Sequence, residues 1–129
     1  MRIASFGVLA CAFVAACGLT DPDQSVILAV EKMDAPATSA VGSPLTVVLT
    51  VTIGMCQSFD HIEAQSGATG GSLTAWGVDA SIGNDDVTCP TIIKSEPHSY
   101  QFHPATRGPF QITVDRGRVS PLTATVQVE

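Results

Sequence analysis

The stretch Leu45–Met55 alternates with a period of two. Leu45, Val47, Leu49, Val51, Ile53 and Met55 fall on one face of an extended chain, and Thr46, Thr50 and Thr52 fall on the other, with Val48 as the exception. Successive side chains of a strand point to opposite faces, and β-branched residues, which make up most of this run, suit a pleated, half-buried surface. No helical period competes with this pattern, so the segment is a strand with one apolar face. Such a face needs a second layer to cover it.

Two further alternations have the same form. Phe110, Ile112 and Val114 are set against Gln111, Thr113 and Asp115, and Leu122, Ala124, Val126 and Val128 against Thr123, Thr125, Gln127 and Glu129. Between them Asp115-Arg116-Gly117-Arg118 carries a glycine able to supply the positive φ that a turn needs. Weaker strand patterns cover Val26–Val30, Asp60–Ala64, Leu73–Ala80, Val87–Ile93 and His98–Phe102. Turn chemistry separates them at Gly42-Ser43-Pro44, Gly67 to Gly71, Gly83-Asn84-Asp85-Asp86 and Pro104 to Pro109. Seven or eight short strands of this kind predict an all-β fold, an antiparallel β-sandwich that follows an N-terminal signal segment.

The chain has 129 residues, enough for one domain. Arg2 is followed by an uncharged apolar run from Ile3 to Ala16. A membrane-spanning helix needs about 20 such residues, so residues 1–16 read as a secretory signal with a small-residue ending. Val14-Ala15-Ala16-Cys17 resembles the lipobox of bacterial lipoproteins. The resemblance implies that the Cys17 thiol receives a diacylglycerol, that the signal is cut before it, and that the new N-terminus is open to acylation. Each buried methylene contributes about 0.8 kcal/mol, so two or more acyl chains anchor stably where one does not. The alternative is an ordinary signal peptide cut after an Ala-x-Ala-like site. Cys11 leaves with the signal, and Cys56 and Cys89 are able to pair, so an unmodified Cys17 would be an odd free thiol. Gly18, rather than Asp, follows the cysteine; in a double-membrane bacterium the resemblance then implies the outer membrane, and otherwise the cell membrane. Residues 17–24 form a tether that reaches roughly 25 Å at about 3.3–3.6 Å per residue. Residues 25–129 form the sandwich.

That sandwich resembles bacterial immunoglobulin-like domains. Val41-Gly42-Ser43-Pro44-Leu45-Thr46-Val47 enters an early strand, and Pro104-x-x-x-Gly108-x-Phe110-x-Ile112-x-Val114 enters a late one. Phe110 stands where that family often has a corner tyrosine, so the hydroxyl bond that fixes the corner is lacking. Cys56 has the wrong parity for the apolar face of its strand. A Cys56–Cys89 disulfide is expected, because an extracytoplasmic compartment permits it and no other partner exists. Parity suggests that it clips loops or strand ends. The chain-entropy description gives a bridge of this span roughly 3.5–4 kcal/mol. A redox role would prefer a close Cys-x-x-Cys pair.

The formal charge is −6, and loss of Arg2 with the signal makes the mature chain more acidic. Such a chain lacks the basic footprint of a nucleic-acid binder. Asp60-His61-Ile62-Glu63 puts His61 and Glu63 on one strand face, where two metal ligands are able to sit. His98, on the face of Tyr100 and Phe102, is a third weak candidate, and His103 points the other way. The plainer reading is that all three are surface or rim histidines. A blue-copper site is excluded, since Cys89 is followed by Pro90-Thr91-Ile92-Ile93 and Cys56 by Gln57-Ser58, with neither run supplying a nearby ligand. Gly83-Asn84-Asp85-Asp86 offers too few oxygens for calcium and reads as a solvated turn. Gly67-Ala68-Thr69-Gly70-Gly71 follows no βα pattern and reads as a flexible hairpin tip.

Nucleophile elbow, zinc-protease and phosphate-cradling motifs are absent, so neither an enzyme nor a cofactor is expected. Asp60 and Glu63 are close in sequence, but proximity alone sets no acid/base pair. Trp76 shares parity with Thr74, Val78 and Ala80 and is expected in the core. Were it exposed, it would be the first binding residue to test. The expected function is a membrane-anchored extracytoplasmic lipoprotein, a non-enzymatic binding or structural module of the cell envelope. It would meet an envelope protein by loops or by strand addition. The alternatives are a metal-binding envelope protein using His61, Glu63 and a further histidine, and an inhibitor that plugs a hydrolase with its loops.

Overall fold

The computed structural model describes residues 24–129; the signal segment, Cys17 and the tether up to Asp23 lie outside them. Nine strands follow in order: β1 (Ser25–Ile27), β2 (Ala29–Asp34), β3 (Thr38–Ser39), β4 (Leu45–Gly54), β5 (Gln57–Ser66), β6 (Gly70–Asp79), β7 (Ile93–Phe102), β8 (Gly108–Arg116) and β9 (Val119–Val128). They form a β-sandwich. One sheet runs β2-β4-β7, and the other runs β1-β6-β8-β9-β3 with β5 on the far edge of β6.

The strong alternations fold as they read. Leu45, Val47, Leu49, Val51 and Ile53 from one sheet meet Leu73, Ala75, Phe110, Ile112, Val114, Val126 and Val128 from the other, all buried, while Thr46 of β4 is exposed. No polar or charged side chain is buried among the described residues, so the layer between the sheets is wholly apolar. Phe102 and Phe110 meet edge to face with ring centroids 5.4 Å apart, a favoured geometry for aromatic pairs.

Four local expectations are corrected. Val26–Val30 is not one strand: Leu28 is buried between the layers and its N–H donates to Ala75 O at 2.8 Å. The chain thus leaves one sheet as β1 and enters the other as β2. Val87–Ile93 is not a strand; only Ile93 belongs to one, because Pro90 removes a ladder donor and Cys89 ties the segment elsewhere. Met55 does not continue the apolar face of β4. It sits in the two-residue turn before β5 with φ 45° and is exposed. Gly70 and Gly71 belong to β6 rather than to the hairpin tip.

Most pairings are antiparallel, but β3/β9 and β6/β8 are parallel. Parallel neighbours need a long crossover, and residues 80–107 provide one by visiting the other sheet as β7. The approach of β8 depends on Gly70. A Cβ there would collide with the Gln111 carbonyl oxygen, which is backbone and has no room to yield.

The disulfide joins Cys56, in the turn after β4, to Cys89, in the loop after β6, with Cα atoms 5.0 Å apart. It clips loops at one end of the sandwich and does not cross the core. Such a bridge fits an oxidising, extracytoplasmic compartment.

Candidate binding face around Trp76

Trp76 is not in the core. Leu73, Ala75 and Gly77 supply the inward side of β6, which puts Ser72, Thr74 and Trp76 on the outer face of the sheet. Gly77 shows how little room there is inside: a Cβ there would run into the Ser58 carbonyl oxygen and the side chain of Leu28. With no room for a large inward residue, the indole takes the solvent side, half-buried.

The flanking strands extend this outer face in rows. His61 of β5 lies opposite Trp76, Glu63 opposite Thr74 and Gln65 opposite Ser72; across β6, Asp115 pairs with Thr74 and Thr113 with Ser72. A register shift between Phe59 and His61 keeps His61 and Glu63 facing outward. The Trp76 Nε1–H donates to Glu63 Oε2 at 2.8 Å, a charge-assisted bond that fixes the ring. Glu63, Gln65, Ser72, Thr74, Trp76 and Asp115 line a hollow of about 330 Å³. Both full charges in that lining are carboxylates, so the hollow offers acceptors and an aromatic surface.

The histidines do not converge. His61 Nδ1 lies 2.8 Å from Asp60 Oδ2 on the outer face of β5. His98 belongs to the other sheet, where its ring stacks on Phe59 with centroids 3.6 Å apart and Nε2 lies 3.1 Å from Glu96 Oε2. The Glu96 carboxyl is held below its usual range, first by the bond from His98 and then by that from Lys94. Among the described residues no three His, Cys, Asp or Glu side chains are grouped to hold a metal ion. Asn84 accepts from the Asp86 N–H at 3.3 Å, and this turn is fully exposed.

The sequence offered Glu63 only as a weak candidate metal ligand and placed Trp76 in the core; their pairing was visible in neither reading. A hydrophobic alternation does not mark Leu73-Thr74-Ala75-Trp76-Gly77, because two of its inward residues are small. No protein-family model, no curated protein and no solved structure matches the chain.

Proposed function

We infer that the chain is an exported, lipid-anchored binding module of the cell envelope, with an immunoglobulin-like sandwich presenting the Trp76 face to a protein partner. The address rests on Val14-Ala15-Ala16-Cys17 after an uncharged apolar run, and a disulfide in the domain is consistent with it. The module is non-enzymatic in this reading.

One observation carries the binding role. The chain's single tryptophan stands on the outer sheet face, held by Glu63 and facing a hollow shared with Asp115. An indole ordered on the surface is characteristic of binding hot spots. Since the charged lining is acceptor-only, it suits a ligand that brings donors and positive charge. A lysine or arginine side chain of a partner meets both needs, by ion pairing and by resting on the indole.

Capture of the lipidated protein from its native envelope tests this reading. A stoichiometric partner retained by wild type and lost from Trp76→Ala is expected; equal retention by both discards the Trp76 face. Intact-mass analysis tests the address, which requires a mature chain beginning at an acylated Cys17.

A further inference from the structure

The described chain begins at one end of the sandwich, where Ser25 pairs with Val78 and the Gln24 amide donates to Ile82 O at 3.2 Å. That end also holds the β4–β5 turn and the loop from Ala80 to Ile92. It concentrates exposed apolar side chains. Met55 is 60% exposed, Ile92 70% and Ile93 69%, and Ile82 is exposed beside them. Val41, at the opposite end, and Val119, on the β8–β9 hairpin, complete the exposed large apolar residues among the described ones.

Met55, Ile92 and Ile93 form one tip. Met55, Pro90 and Ile92 line a common hollow, and Met55 and Ile93 line the next. The Cys56–Cys89 bridge pins the two segments that carry them. Met55 also occupies left-handed backbone, φ 45°, where glycine would sit without strain. A large apolar side chain held there, strained and in water, points to a use. Charges near the tip are mostly acidic: Lys94 pairs with Glu96 at 3.3 Å, and Asp79, Asp85 and Asp86 lie on the same end.

We propose that this tip is a second membrane contact, in which Met55, Ile92 and Ile93 enter the head-group region of the bilayer to which Cys17 is anchored. The proposal rests on the lipid-anchor reading. Fully extended, the segment from Cys17 to Gln24 reaches at most roughly 25 Å, whereas a ten-residue strand is about 33 Å long. The distal end is therefore unable to swing round to the bilayer, and the tip is the end that faces it. The acidic excess is repelled by anionic head groups, so the surface that suits this tip is zwitterionic. The domain then stands upright, with the Trp76 face turned sideways toward neighbouring proteins.

The test moves the only tryptophan. The full-length protein carrying Trp76→Phe and Ile92→Trp is purified from membranes and reconstituted in phosphatidylcholine vesicles whose acyl chains are brominated near the head group. At least a twofold loss of emission and a blue shift are expected, with stronger quenching than in the wild-type protein, whose Trp76 stands on the outer sheet face three residues before the end of β6. The position is exposed, so the fold tolerates the change, and far-UV circular dichroism checks it. Unquenched emission from protein with an acylated Cys17 overturns the proposal, as does a dimer in sedimentation that shields the tip from lipid. Quenching on vesicle addition to protein without acyl mass removes the anchor reading and leaves the docking. Neither acyl mass nor quenching removes both.

Discussion

The Phe59 ring of β5 lies nearly flat on the His98 imidazole of β7, 14° from parallel, and so closes the open side of the sandwich between two strands that belong to different sheets. Neither strand has a partner on that side: β5 pairs only with β6 and β7 only with β4. The stack therefore packs the two unpaired edges against each other across the opening. Pro97 within β7 adds a second protection, because it withholds a donor from any strand that tries to add there.

His98→Ala removes the stack and the bond to Glu96 together. A loss of about 1 kcal/mol is expected from the aromatic pair, read as a lower urea midpoint with unchanged slope. His98→Phe keeps the stack and is expected to recover most of the loss. An alanine variant as stable as wild type would show that the two edges are held by other contacts.

Asp79 governs part of the acid response. Its carboxyl is held below the usual range, chiefly because the Ser81 hydroxyl and then the Ser81 N–H, at 3.0 Å, donate to it; slight burial opposes this, and Gln57 adds a smaller bond. A group with a depressed folded-state pKa stabilises the fold above its unfolded value, near about 4, and the contribution is lost as pH falls through the folded value. Ser81→Ala is therefore expected to lower stability at neutral pH slightly and to flatten the decline below pH ~4. Chemical denaturation at a series of pH values from neutrality downward checks that the two curves converge at acid pH.

The β6/β8 pairing makes Gly70 intolerant of any side chain. Gly70→Ala is expected to cost about 1–3 kcal/mol, the usual range for overpacking, because its Cβ meets the Gln111 carbonyl. Gly67→Ala is the internal control: its nearest neighbour, the Gly70 carbonyl oxygen, is at an ordinary 3.7 Å, so a change within about 0.5 kcal/mol is expected. Thermal unfolding of the two variants side by side separates the close approach from a general dislike of alanine in this hairpin.

The same comparison shows what a sequence discloses. Leu45 to Ile53 declared their face because each inward residue is large and each neighbour mostly polar, and Gly117 declared its turn, with φ 69°. Cys56 and Cys89 declared a clip between loops through their parity. Trp76 was misread because the inward side of β6 is Leu73, Ala75 and Gly77, whose small members carry little hydrophobic signal. The smallness of Gly77 answers to the Ser58 carbonyl and to Leu28, nearly 50 residues earlier, and no local pattern holds that information. Val87–Ile93 failed for a related reason: its β-branched residues favour a strand, but Pro90 and the bridge at Cys89 override the preference.

Joint replacement of Cys56 and Cys89 by serine tests the clip. The expected loss is roughly 3–4 kcal/mol by the chain-entropy description, with the native sheets retained, since neither cysteine is in the core. The loop from Ala80 to Ile92 is expected to lose amide-exchange protection before the strands do. Uniform loss of protection would contradict a bridge that acts only at one end.

Trp76→Ala separates stability from recognition. A core tryptophan would cost about 3–5 kcal/mol on truncation, but this indole is half-buried on the outer face and bonded through one nitrogen to Glu63. Its removal is expected to cost about 1 kcal/mol, in line with a single net hydrogen bond. Glu63→Gln keeps an acceptor for the indole and deletes one of the two charges in the hollow, so it leaves the fold unchanged while weakening a basic ligand. If the face binds a basic partner, partner affinity falls at least tenfold in both variants, while unfolding curves distinguish them only slightly from wild type. A large drop in stability for Trp76→Ala, with affinity measured on the folded fraction unchanged, would make the indole a structural residue and return the search for the partner to the loops.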